Sequence, residues 1–212
     1  MQRENRSEAF DVLVALFQTP LNPETHFFSD AALAFQRLDG AELEAAWDML
    51  SPLLARDMRA VLTVLSRQAE PRVMTALAEA RRAPDVDPAV AAQIDVTLSA
   101  HGDATAWDRV VRVLGTASDL GVVRAALRAL RDVPTKRSFE LADAFMNHDE
   151  PSVRGMAYDT LFHMLDVAQD DLPSGSYSKE YRAVTNPYPS LIIEALQKLR
   201  PVFRKFAHQL PD

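Results

Sequence analysis

The feature that most constrains how this chain can fold is a helical pattern returning about every 31 residues. Two segments carry it most clearly, DLGVVRAALRAL at 119–130 and DEPSVRGMAYDTL at 149–161. Each has an acidic or small polar turn, then a Val, an Arg, a small residue four places beyond the Val, and a Leu four beyond that. Val122, Ala126 and Leu130 thereby match Val153, Ala157 and Leu161. Spacing of i, i+4, i+8 sets each trio on one helical face, and the small middle residue lets a second helix come close. Upstream, Val90, Ile94 and Leu98 repeat the pattern. Met58 and Leu62 follow it before polar Ser66 breaks it, and Phe27, Ala31 and Phe35 share the phase. The starting positions 27, 58, 90, 122 and 153 are 31, 32, 32 and 31 residues apart, a period characteristic of stacked repeats.

Between these stripes lie further helix-compatible stretches: GAELEAAWDML, EPRVMTALAEARRA, ATAWDRVVRVLG and TKRSFELADAFMNH. The alternation predicts antiparallel helix pairs joined by short connections. Pro52, Pro71, Pro88 and Pro151 stand near predicted starts, where a missing amide donor is tolerated, while Pro84 and Pro134 interrupt stretches that would otherwise continue. Asp119 is placed to cap a helix start beside Gly121. No alternating strand pattern competes, so the expected class is all-α. One helical hairpin cannot cover its own apolar stripe, so the ends of a stack must be closed. Phe10, Val12, Leu13, Leu16 and Phe17 predict an N-terminal cap. SLIIEALQKL and PVFRKFAHQL predict two C-terminal capping helices over 191–209, with Leu191, Ile192, Ala195, Leu196 and Leu199 inward and Lys198, Arg200, Arg204 and Lys205 in solvent.

On the strength of DLGVVRAALRAL and DEPSVRGMAYDTL, with DPAVAAQIDVTL in support, the chain resembles the HEAT-repeat family of armadillo-like helical solenoids. That resemblance implies a single domain over 1–212, a curved α-solenoid of about five hairpins with repeats at 22–168 and capping helices at both ends. It also implies a concave side lined by second helices and, as in many members, a scaffold that binds other proteins. In the family pattern the turn acid and the Arg after the Val can form a polar ladder between repeats. Asp119 with Arg124 and Asp149 with Arg154 keep that pattern, whereas Ala92 stands near the equivalent Arg position after Asp87, so a continuous ladder is not expected.

The sequence carries no recognisable catalytic or metal-binding motif. The chain has no Cys, which removes thiol nucleophiles and disulfides. His101 with Asp103, and His148 with Asp149 and Glu150, lie in predicted turns without metal-ligand spacing, and no H-E-x-x-H motif occurs. Ser174, Ser176 and Ser178 lack the G-x-S-x-G elbow, and no Gly-rich phosphate loop is present. No catalytic residue, metal or cofactor is therefore assigned, and the chain is read as a non-enzyme. The N-terminal stretch lacks the apolar run of a secretion signal or membrane span, so a soluble cytoplasmic protein is expected.

Four surface features remain. Arg124, Arg128 and Arg131 share one helical face, with Lys136 and Arg137 following the Pro134 turn. This basic concentration can bind an acidic protein or, less readily, phosphate; salt bridges to Asp119, Asp132, Glu140 and Asp143 are the structural alternative. Acids dominate the first 50 residues, nine against three bases, with Glu4, Glu8 and Asp11 on one stretch and Glu42, Glu44 and Asp48 on another. They suit a basic docking segment or simple solvation. With a net charge of -7, broad attraction to nucleic acid is not expected. Trp47 and Trp107 read as packing groups. Residues 170–190 read as an irregular loop carrying Tyr177, Tyr181 and Tyr188, whose rings offer apolar area and hydroxyls to a partner. These features favour a noncatalytic scaffold, adaptor or regulatory subunit that binds a protein, with oligomeric state open. The alternatives are a HEAT-like DNA glycosylase, which would need a basic groove around an acid and a Trp, and a structural subunit or toxin-neutralising immunity protein.

Overall fold

The computed structural model describes residues 6–18 and 27–212. Glu4 and the first residues of the earliest repeat, 22–26, lie outside the described residues, as does the Phe27 side chain. The described chain is all-helical, without strands. In order, its helices are α1 (Glu8–Gln18), α2 (Phe27–Gln36), α3 (Gly40–Leu50), α4 (Met58–Val64), α5 (Pro71–Arg81), α6 (Pro88–Ala100), α7 (Ala104–Thr116), α8 (Leu120–Leu130), α9 (Lys136–Phe145), α10 (Pro151–Met164), α11 (Tyr177–Val184) and α12 (Pro189–Ala207). Helices α2, α4, α6, α8 and α10 open at the periodic apolar positions or two residues before them, and α3, α5, α7 and α9 occupy the stretches between.

Local chemistry explains the starts. Asp57, Asp103 and Asp119 accept from the backbone N–H groups of Arg59, Thr105 and Gly121, and Thr135 accepts from that of Ser138. Each satisfies a donor that the first helical turn leaves orphaned. Pro71, Pro151 and Pro189 occupy first helical positions, where no N–H is needed. Asp87 caps α6 through the N–H groups of Ala89 and Val90, at 2.8 and 3.0 Å.

The chain divides into two compact units, Met1–Ile94 and Asp95–Asp212. In the first, Leu13, Ala31, Phe35, Trp47, Leu50, Val61 and Leu77 are buried, with Phe35 edge-on to Trp47 at 5.6 Å. Arg67 ties the end of α2 to this core. Its guanidinium donates to the carbonyls of Phe35 (3.1 Å), Gln36 (3.0 Å) and Leu38, and pairs with Glu70 at 2.7 Å. The short α4 buries Ala60, Val61, Thr63 and Val64, leaving Met58 and Leu62 half-buried, so its inward face is turned from the expected one. In the proposed N-terminal cap, Phe10 and Leu13 are buried but Val12 is 38% exposed.

In the second unit the two clearest stripes lie where expected: Val122, Ala126 and Leu130 on α8, and Val153, Ala157 and Leu161 on α10, are all buried. Thr160 fastens the two helices by donating its hydroxyl to the Leu127 carbonyl at 2.9 Å. Three expectations change at the C-terminal end. Residues 170–190 are not one irregular loop, because a short 3-10 turn at Gln169–Asp171 is followed by α11. The two expected capping helices are one 19-residue helix that runs through Pro201. Gln197, whose carbonyl would have received the missing N–H, lies with Pro201 on the exposed face, so the loss falls where water can compensate. Finally, Leu191 is 45% exposed instead of inward, and Arg200 is not simply solvated but pairs with Asp143 at 2.9 Å.

Candidate interaction surface

The five predicted basic residues separate into three environments. Arg124 and Arg128 are exposed on α8, and among the described residues neither has an ion-pair partner; Arg124 donates only to the Leu120 carbonyl at 3.2 Å. Arg131 turns toward α10, 3.9 Å from Asp132 and 4.0 Å from Asp159. Lys136 is engaged from the C-terminus, its ammonium 2.5 Å from Asp212 and its backbone N–H donating to the Pro211 carbonyl at 2.8 Å. That pair holds the Asp212 carboxyl below the usual carboxylate range. Arg137 is exposed.

The tyrosines also divide. Tyr177 and Tyr181 lie on α11 and pack against the buried Tyr158 of α10, with ring centroids 5.2 and 6.2 Å away. The fit depends on Gly155: a Cβ there would meet the Tyr181 hydroxyl at 2.7 Å and the Thr185 methyl at 2.8 Å. Tyr177 donates its hydroxyl to Asp159 at 2.7 Å, and His163 reaches the same oxygen at 3.3 Å. Burial first, and then this bond to Asp159, push the Tyr177 phenol above its ordinary pKa. Burial, followed by the nearby Glu180 charge, raises Tyr158 likewise. Tyr188, at the start of α12, is 66% exposed.

Asp159 therefore joins two features that were separate in the sequence, with Arg131 on one side and Tyr177 on the other. It was not singled out beforehand, although it sits one residue after Tyr158 within the repeat motif. Arg154 was singled out for a different partner. It is buried and meets no carboxylate; instead it donates to the carbonyls of Val184 (2.8 Å), His148 (2.7 Å), Asp149 (2.7 Å) and Asn186 (2.9 Å). Arg154 thus clamps the C-terminal end of α11 onto α10. The Asp119 carboxylate caps its own helix at 2.7 Å and Arg154 reaches Asp149 only at its backbone carbonyl, so neither expected carboxylate–arginine pair forms.

The other candidates resolve into local structure. Ser7 donates its hydroxyl to Glu42 and Arg72 pairs with Glu44, both at 2.6 Å, which lowers the pKa of each acid. Trp47 is buried with the Arg72 guanidinium over its ring at 4.7 Å. The His101 ring contacts the Thr97 carbonyl, and His148 accepts from the Glu150 N–H, both at 3.0 Å. Among the described residues no cluster of three or more His, Asp or Glu is arranged to hold a metal ion, and no helix is long and apolar enough to cross a membrane.

No protein-family model, curated protein or solved structure matches this chain. The most distinctive described charge feature is the α8 row, in which two guanidinium groups one helical turn apart stand in solvent beside a third that lies about 4 Å from Asp132 and Asp159.

Proposed function

We propose that this chain is a noncatalytic protein-interaction module of the HEAT-like helical-repeat kind, and that it docks an acidic segment of a partner protein along the arginine row of α8. The observation that carries this reading is the exposure of Arg124 and Arg128, neither of which has an ion-pair partner among the described residues. Arg128 and Arg131 lie near the C-terminal end of α8, where a positive charge also complements the helix dipole; Arg124 lies one turn earlier and has less of that benefit. An unneutralised row attracts an oppositely charged surface and fixes its register, contributing more to association rate and orientation than to affinity. An exposed ion pair contributes only about 0.2–1 kcal/mol, so the partner must add apolar contact.

In this reading Tyr177 and Tyr181 position the surface from behind. Tyr177 donates to Asp159, which lies 4.0 Å from Arg131, with Asp132 at 3.9 Å from the same guanidinium. Tyr188 is the tyrosine available for direct contact. The test is a native pull-down from the source cell with purified protein, followed by reconstitution of the strongest stoichiometric partner. The expected partner binds through an acidic segment and is lost to Arg124→Glu/Arg128→Glu. A folded charge-reversed protein that binds its partner unchanged would reject the α8 site.

A further inference from the structure

A groove of about 380 Å³ lies between α1 and α2 in the first unit. Its apolar lining includes Val12, 38% exposed, Leu33, 49% exposed, and Ala34. Three exposed charged residues border it, Glu8, Asp30 and Arg37, and among the described residues none of them has an ion-pair partner. Large apolar side chains left open side by side mark a contact surface, whereas single ones are ordinary. The order of residues along α2 selects what fits this one. Asp30, Leu33, Ala34 and Arg37 follow one another at intervals of three, one and three residues, on one face of the helix and of the residue directly after it. The stripe reads acid, apolar, apolar, base, with its midpoint between Leu33 and Ala34. A uniformly acidic or basic segment laid along it would meet a like charge at one end. A second α2 running antiparallel about that midpoint instead brings Asp30 to Arg37 and Arg37 to Asp30, and sets Leu33 beside Ala34, whose small side chain permits close approach.

From this pattern we infer that the α1/α2 face pairs two copies of the chain, with the two α2 helices antiparallel about a two-fold axis at Leu33 and Ala34 and Val12 of each copy adding apolar contact. Every contact in a two-fold interface occurs twice, so two ion pairs form from groups that are unpaired in one copy. Exposed pairs of this kind set the orientation, and burial of the leucines and valines supplies most of the attraction. The interface is independent of the proposed α8 surface, and either can fail without the other.

The experiment is sedimentation velocity of the purified full chain over a concentration series. A mean mass that rises toward twice the 23.6 kDa of one chain as the concentration reaches about 100 µM is the expected result. Leu33→Glu places a charge at the axis and should weaken association about tenfold or more. Asp30→Arg alone and Arg37→Asp alone each set like charges against one another at both ends of the stripe, and each should also weaken association about tenfold. An equimolar mixture of those two variants restores both opposite-charge pairs and should associate nearly as well as the wild type. The mixture keeps the inference testable if Leu33→Glu folds poorly, and far-ultraviolet circular dichroism checks the fold of each variant. A folded wild type that stays monomeric throughout the series, association that a folded Leu33→Glu leaves unchanged, or a mixture that associates no better than its two components would overturn the inference.

Discussion

Replacing Gly155 by alanine tests how α11 is seated. Gly155 is buried within α10, and the added methyl carbon would lie 2.7 Å from the Tyr181 hydroxyl, 2.8 Å from the Thr185 methyl and 2.9 Å from the Tyr181 ring carbon bearing that hydroxyl. All three atoms belong to side chains of α11 and the residue after it, so relief requires the helix to lift or its side chains to leave their positions. Overpacking of this kind costs about 1–3 kcal/mol. Against it stands the gain of replacing glycine in a helix interior, about 1 kcal/mol. The expected net effect is destabilisation by about 1 kcal/mol, with a ceiling near 2. Gly115 provides the control: it lies near the end of α7 with nothing within 4 Å of an added Cβ, so Gly115→Ala should raise stability by a few tenths to about 1 kcal/mol. Urea unfolding measures both, and near-ultraviolet circular dichroism should change only in Gly155→Ala because its tyrosine cluster shifts. Equal stabilisation by the two substitutions, with unchanged tyrosine dichroism, would refute the argument that α11 rests directly on Gly155.

Other consequences follow from the same unit. Arg154→Met should cost about 1–3 kcal/mol in urea unfolding, since it removes the donors that the buried guanidinium supplies to the carbonyls joining α10 and α11; Arg154→Lys should recover little, because one ammonium cannot reproduce the planar fork. The raised phenols of Tyr158 and Tyr177 favour the neutral form in the fold, so their contribution is fully present below the ordinary tyrosine pKa of 10.0 and is lost as pH rises through the higher folded values. Absorbance at alkaline pH should therefore show tyrosines that ionise only as the chain unfolds, and Tyr177→Phe should remove one of them. Normal titration of all four tyrosines before any loss of helix would contradict the described burial.

Much of the helical arrangement was legible because its signals are local. The apolar trios, the prolines and the capping acids act within one or two turns, and the buried faces of α8 and α10 follow directly from them. The C-terminal end was less legible for physical reasons. Residues 170–190 look irregular because Gly, Ser and Pro punctuate them, yet the eight residues of α11 are fixed by long-range contacts: the Arg154 clamp, the Gly155 approach and the Tyr158 ring. Pro201 suggested a break, but losing one hydrogen bond on an exposed face did not end α12. The basic residues and tyrosines were recognisable as types, whereas their division into free and engaged groups depends on Asp159, Asp212 and backbone carbonyls distant in sequence.

The most direct test of the proposed function is the salt dependence of binding between the wild-type chain and its reconstituted partner, measured beside Arg124→Glu/Arg128→Glu and Tyr188→Ala. The account predicts wild-type affinity that falls as salt rises, loss of both affinity and salt dependence on charge reversal, and a smaller, salt-independent loss for Tyr188→Ala if that ring supplies apolar contact. Salt-insensitive wild-type binding, fully retained by the folded charge-reversed protein, would contradict it.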